Sequence, residues 1–121
     1  MSTPLTRSGL YTVLEAAVSL DDFLVYAEPP DQLVRQSIVI APRDPYQDEA
    51  TFGSLTTFVS VSVLVPRTHG PAMDVIDSAL TALRAIFVGL PGCRVGDTYV
   101  GLTDRIGGTE YLAAMVNLDL Y

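Results

Sequence analysis

Residues 55–65 read LTTFVSVSVLV, and this stretch decides the fold. Apolar and polar side chains alternate along it, as they do in a β-strand with one buried face. We expect one face of the strand to meet the core and the other to meet solvent or a partner. The core face is predicted to carry Leu55, Thr57, Val59, Val61, Val63 and Val65, and the other face Thr56, Phe58, Ser60, Ser62 and Leu64.

A helix is predicted after this strand, from Pro71 to about Val88. Apolar residues recur there at spacings of three and four, which places them on one face of a helix. They are Met73, Ile76, Leu80, Leu83 and Phe87, with alanines beside them. Two more strands are predicted at Val95–Leu102 and Glu110–Tyr121, separated by a glycine-rich turn over residues 103–109.

The first half of the chain has weaker periodicity. A helix is predicted over Ser8–Leu20 with Ser8 as its N-cap, after a short flexible segment of residues 1–7. The apolar stretch Phe23–Tyr26 is either a short strand or an extended tether. Ser37–Ala41 is predicted as a buried strand that ends at Pro42. Residues 42–53 are polar and turn-rich, and are predicted to form an interaction loop.

This order of elements predicts an α+β fold. We expect one domain over residues 1–121, with a mostly antiparallel four- to five-stranded sheet packed on one face by two helices.

Composition excludes several classes of function. The net charge is −7 and every cation is Arg, so the chain lacks the basic run that nucleic-acid binding needs. We find no apolar run long enough to span a membrane and no secretion signal at the N-terminus, so a cytoplasmic origin is expected. With Cys93 as the single cysteine, an intrachain disulfide is impossible.

No residue cluster predicts catalysis, a metal site or a cofactor site. The single histidine, His69, has no nucleophile or carboxylate indicated beside it. Asp44, Asp48 and Glu49 lack the spacing of a calcium loop, and one histidine cannot build a zinc site. These acidic residues are interpreted as part of an interaction loop instead. The glycines of the second half do not fit a phosphate-binding spacing and are interpreted as bulge and turn residues.

Three stretches resemble a known family. They are Ile38–Tyr46, the strand Phe58–Pro66 before an amphipathic helix, and Gly107–Leu112 at the start of the last strand. Together with the layout of residues 8–121, they are similar to the tail terminator (tail completion) proteins of long-tailed bacteriophages.

The resemblance implies a structural virion protein rather than an enzyme. Such a protein forms a ring, expected to be a hexamer, at the head-proximal end of the tail. It stops polymerisation of the major tail tube protein and docks onto the head-completion (stopper) protein, while DNA passes through without specific binding. Assembly would take place in the host cytoplasm. The predicted interface residues are Asp44, Tyr46, Asp48, Glu49, Phe52, Phe58, Tyr111 and Tyr121.

Other functions stay open at this point. The chain could be another head–tail connector ring in the same neck, or a non-viral assembly or regulatory adaptor. A small ligand-binding or enzymatic α+β protein is a further alternative, and it would require a pocket with convergent polar groups.

Overall fold

A computed structural model describes residues 5–28, 30, 35–49, 55–66, 71–106 and 108–121. Within β2, β3 and β4 the side chains of residues 44–46, 48, 49, 55, 102, 104 and 106 are not described. The elements are α1 (Arg7–Ala16), β1 (Leu24–Tyr26), β2 (Ser37–Glu49), β3 (Leu55–Pro66), α2 (Ala72–Val88), β4 (Cys93–Ile106) and β5 (Thr109–Leu120). A short 3₁₀ turn, Val18–Leu20, follows α1.

The five strands form one sheet in the order β1-β2-β3-β5-β4. Only β1 and β2 run parallel, and the other neighbours are antiparallel. Both helices contribute to the main core on one face of the sheet. The predicted α+β fold is therefore confirmed. Among the described helices, none is long and apolar enough to cross a membrane.

The central strand β3 confirms the predicted alternation. Val59, Val61, Val63 and Val65 are fully buried under the helices. Each buried valine of this kind contributes about 1.5–3 kcal/mol relative to an exposed one. On the other face, Phe58 and Ser62 are half-buried.

Each helix differs from its prediction in one detail, α1 in its N-cap and α2 in the position of its buried stripe. Thr6, rather than the predicted Ser8, caps α1, and its hydroxyl accepts a hydrogen bond from the Gly9 N–H at 3.0 Å. In α2 the buried residues recur at spacings of four and three: they are Ala72, Ile76, Ala79, Leu83 and Phe87. Met73, predicted on this stripe, is instead 39% exposed, because the helix turns its alanines toward the sheet.

The prediction that Pro42 ends a strand and begins a loop was wrong for the described residues. Strand β2 continues to Glu49 and pairs with β3 beyond a register shift between Pro42 and Gln47. Because β1 pairs only with residues 37–39, the rest of β2 lies at the sheet edge, where a proline does not interrupt a shared ladder. Residues 50–53 of the predicted loop lie outside the described residues.

The predicted turn over residues 103–109 was also too long. Strand β4 runs on to Ile106, and β5 begins at Thr109. A positive φ of 83° at Gly101 coincides with a bulge that lets the strand continue.

Candidate interaction surfaces

The face of the sheet away from the helices is called the open face here. Its centre is formed by paired residues of β3 and β5, in which Phe58 lies opposite Asp119 and Ser60 opposite Asn117. No described helix covers these residues. Ser60 is only 6% exposed, whereas Phe58, Asn117 and Asp119 are half-buried and keep part of their surface accessible. Accessible aromatic and polar side chains of this kind suit contact with another protein surface.

A row of charged and aromatic side chains crosses the open face on four strands. Asp119 of β5 accepts hydrogen bonds from Arg94 of β4, at 3.1 Å from Nε and 2.7 Å from Nη2. Its other oxygen lies 3.2 Å from Nη1 of Arg43 on β2. The Arg43 guanidinium also lies 5.5 Å from the ring centroid of Phe58, within the range of a cation–π contact.

This row gives the open face a local charge opposite to that of the whole chain. Two guanidinium groups share one carboxylate, so the row carries a net positive charge. The hydrogen bond to Asp119 raises the pKa of Arg94, which keeps that side chain charged. A partner that presents carboxylates would complement this row electrostatically.

Tyr111 lies on the open face, as predicted, but its ring is only 2% exposed. It belongs to a small second core with Val39, Leu64 and Ala113, against which Tyr26 packs. This burial leaves little of the ring for a neighbouring subunit, and we assign no partner contact to it.

Of the remaining predicted interface residues, only Phe58 and Tyr121 have side chains that the structure describes. Phe58 is half-buried under Arg43, whereas Tyr121 follows β5 and is 56% exposed. The Tyr121 backbone is held by Gly92 and Leu5, with N–H···O distances of 2.9 and 3.3 Å. Asp44, Tyr46, Asp48 and Glu49 belong to β2, although their side chains are not described. Phe52 and His69 lie outside the described residues.

Cys93 begins β4 and is half-buried at the margin of the main core. Burial, and secondly the negative charge of Asp119, raise the pKa of the thiol to about 11. A thiol of this kind is almost entirely protonated near neutral pH and is a poor nucleophile. Across the part of the chain that is described, no three His, Cys, Asp or Glu side chains come together as a metal site.

A groove of about 640 Å³ lies between one flank of α2 and the strands β4 and β5. Its walls are mainly apolar: they include Leu80, Ala85, Phe87, Val88, Val95 and Val116. Val88 at its margin is 76% exposed, and Val100, further along the same side of β4, is 47% exposed. The Thr98 hydroxyl oxygen is buried here without a hydrogen-bond partner among the described residues.

This groove was not predicted from the sequence. The feature that could have indicated it is the wide apolar face of α2, which extends past the core stripe to Ala85 and Val88. A second cleft of about 790 Å³ lies near the start of α2, and its mixed lining includes the charged residues Asp22, Arg35 and Asp74.

The sequence matches no protein-family model, and no curated protein shows significant similarity to it.

Proposed function

We propose that this chain is a ring subunit at the head-proximal end of a bacteriophage tail, where it ends tail-tube growth and joins the tail to the head-completion protein. The resemblance in three stretches supports this role. The structural observation that carries the proposal is the charged and aromatic row on the open face, formed by Arg43, Phe58, Asp119 and Arg94. Such a surface is suited to protein docking, and in this role the chain is not an enzyme.

Ring formation needs a heterologous contact, in which two different surfaces of the subunit meet. We place one of these surfaces on the open face, at the row formed by Arg43, Phe58, Asp119 and Arg94, with Tyr121 beside it. The neighbouring subunit would supply the second surface and present carboxylates to the two arginines. The resemblance implies six subunits.

Charge supports this orientation. Six copies at −7 each carry a formal charge of about −42, so the ring as a whole repels DNA phosphate. A conduit must let DNA pass without holding it, and arginines that face the bore would bind phosphate. The proposal therefore puts the open face against a neighbour and leaves the bore to acidic residues such as Asp44, Asp48 and Glu49.

Electron microscopy tests the main claim. The purified chain would be imaged alone and after mixing with tail tubes of a long-tailed phage. We expect rings that cap one end of each tube and tubes that stop elongating. Tubes that keep growing with bare ends, at saturating concentrations of the chain, would contradict the proposal.

A matched pair of variants locates the ring contact. Tyr121→Asp places an acid beside the open face, whereas Val18→Asp makes the same kind of change in the helical layer, where Val18 is 80% exposed. We expect the first variant to lose ring formation and the second to keep it. Equal loss in both would move the contact away from the open face.

Nucleic-acid binding separates this proposal from a regulatory adaptor. We expect no retention of duplex DNA in low-salt fluorescence anisotropy. Tight, salt-dependent binding would favour the adaptor, because such affinity arises from phosphate neutralisation.

A further inference from the structure

Strand β4 lies at one edge of the described sheet. It spans 14 residues and pairs with β5, and no described strand pairs with its other side. A sheet edge that no other strand covers is a template for addition of another strand. By contrast, β2 at the far edge of the sheet contains Pro42 and Pro45, which lack the backbone N–H donors that an added strand needs. Strand β4 contains no proline, although it has two register shifts of its own.

The apolar groove lies directly beside this edge, on the helix side of the sheet. Val88 and Val100 leave apolar surface exposed there, and the Thr98 hydroxyl lacks a partner among the described residues. An occupant that pairs with β4 would cover the groove at the same time. It would also bring polar backbone atoms close to Thr98.

The α2 wall of the groove is self-complementary in charge. Asp77 and Arg84 both line it, both are exposed, and neither forms an ion pair with a described residue. They are separated by seven residues, which is two helical turns or about 10.5 Å. If a second α2 runs antiparallel to the first, each aspartate faces the arginine of the other copy.

We infer that this surface binds a second copy of the chain across a two-fold axis. The axis passes near Thr81, the position midway between Asp77 and Arg84. The two β4 strands pair antiparallel, the two α2 helices lie side by side, and both grooves close. Such a self-complementary contact is the usual form of a homodimer.

The length of β4 sets the width that a stable dimer contact would need. A standard interface covers about 800 Å² on each partner, and the described chain exposes 7018 Å² in total. Strand β4 is roughly 46 Å long at about 3.3 Å per residue. A contact along the whole of β4 would therefore reach about 800 Å² if it were less than about 20 Å wide, a width that the edge and the α2 flank together would cover.

This inference is independent of the proposed ring. A two-fold contact closes at two copies and cannot by itself continue around a ring. It also uses the β4 edge and the α2 flank rather than the open face.

A charge-swap series tests the dimer by sedimentation velocity over a range of concentrations. Asp77→Arg and Arg84→Asp each place like charges opposite one another at two symmetric positions. We expect each single variant to raise the dimer dissociation constant by roughly tenfold. The double variant Asp77→Arg/Arg84→Asp restores both opposite-charge pairs, so its dissociation constant should return close to that of the unmodified chain.

Thermal unfolding of all three variants controls for damage to the fold, which we expect to be small because both residues are exposed. A monomer at every concentration would overturn the inference. A double variant that dimerises as weakly as the single variants would overturn the two-fold arrangement.

Cross-linking gives a second readout. In a Cys93→Ser background, Thr81→Cys should be joined to its own counterpart by a short bis-maleimide, because Thr81 lies near the axis. Cys substituted for Val18, which is remote from the groove, should give no cross-linked dimer. Equal cross-linking at both positions would indicate random collision and refute the assignment.

Discussion

Cys93 allows a quantitative test of how closely the start of β4 packs against the core. The perturbation is a pH series with a small alkylating reagent such as iodoacetamide. Burial first, and the negative charge of Asp119 second, raise the pKa of this thiol from 9.0 to about 11. Because only the thiolate reacts, the alkylation rate reports the pKa directly.

The expected size of the effect follows from the difference in pKa. At a pH well below 9 the thiolate fraction is about a hundredfold lower in the folded chain than for an unperturbed thiol. Each thiolate of higher pKa is also a better nucleophile, and this offsets about a factor of ten of the hundredfold decrease in the alkylation rate. We therefore expect alkylation of the folded chain to be about tenfold slower than that of the urea-unfolded chain, with further slowing from the half-buried position.

The shape of the pH profile is the decisive measurement. For the folded chain, the logarithm of the rate should rise with unit slope from pH 7 to pH 10. For the unfolded chain, it should level off above about pH 9. A plateau near pH 9 in the folded chain would refute the burial of Cys93. Asp119→Asn provides a control, since loss of the carboxylate should lower the Cys93 pKa while burial keeps it raised.

The same shift has a consequence for stability. The folded chain favours the protonated thiol, so this contribution is fully present below about pH 9. It is lost as the pH rises toward 11, where the folded thiol also ionises.

Three further predictions concern the core, a glycine with a positive φ and the open face. Leu83→Ala should lower the free energy of unfolding by about 2–5 kcal/mol in urea titrations, because Leu83 is fully buried, whereas Met73→Ala should cost less than about 1 kcal/mol; a loss below about 1 kcal/mol at Leu83 would contradict its place in the core. Gly92→Ala should cost more than about 1 kcal/mol, since Gly92 has a φ of 81° and an added Cβ would lie 2.6 Å from a carbonyl oxygen. Gly89→Ala is the matched control, because its φ is −88° and its nearest neighbouring atom is 3.7 Å away; equal costs at both glycines would refute the backbone argument. Asp119→Ala should increase retention on a heparin column at low salt, because it leaves two arginines without their shared carboxylate; unchanged retention would show that the row is not accessible to polyanions.

The regular elements were predictable because their periodicity survives in any context. In β3, apolar and polar side chains alternate with a period of two over eleven residues, and this pattern is typical of a half-buried strand. The spacing of three and four in α2 is equally decisive. Their burial then determines which face of the sheet the helices cover, and this much of the fold was correct from the sequence.

The ends of the less regular strands depended on tertiary position. Pro42 ordinarily stops a strand, but it lies where β2 has become an edge strand. Gly101 lies in a bulge with a φ of 83°, in agreement with the interpretation of these glycines as bulge and turn residues, but β4 continues beyond its predicted end at Leu102 to Ile106. Local residue preferences cannot show which strand will occupy an edge or how a bulge will be accommodated.

The candidate surfaces were still less accessible from the sequence. Asp119 meets Arg94 and Arg43 across separations of 25 and 76 residues, so the row exists only once the strand order is known. Val95 and Thr98 both line the groove although they are three residues apart in a strand, because β4 has a register shift between them. For Tyr111 the alternation of the strand predicted the correct face of the sheet, but it could not reveal the small second core that buries the side chain.

The two proposed contacts use different surfaces, the open face for the ring and the β4 edge with the α2 flank for the dimer, and this allows them to be separated. Tyr121→Asp alters the open face, and Asp77→Arg alters the α2 flank. If both proposals hold, the first variant should still dimerise but form no rings on tail tubes. The second should lose the dimer and keep the rings, because a heterologous ring contact and a two-fold contact have different symmetry. If either variant lost both the dimer and the rings, one surface would have to form both contacts. The ring contact would then lie at β4 instead of on the open face.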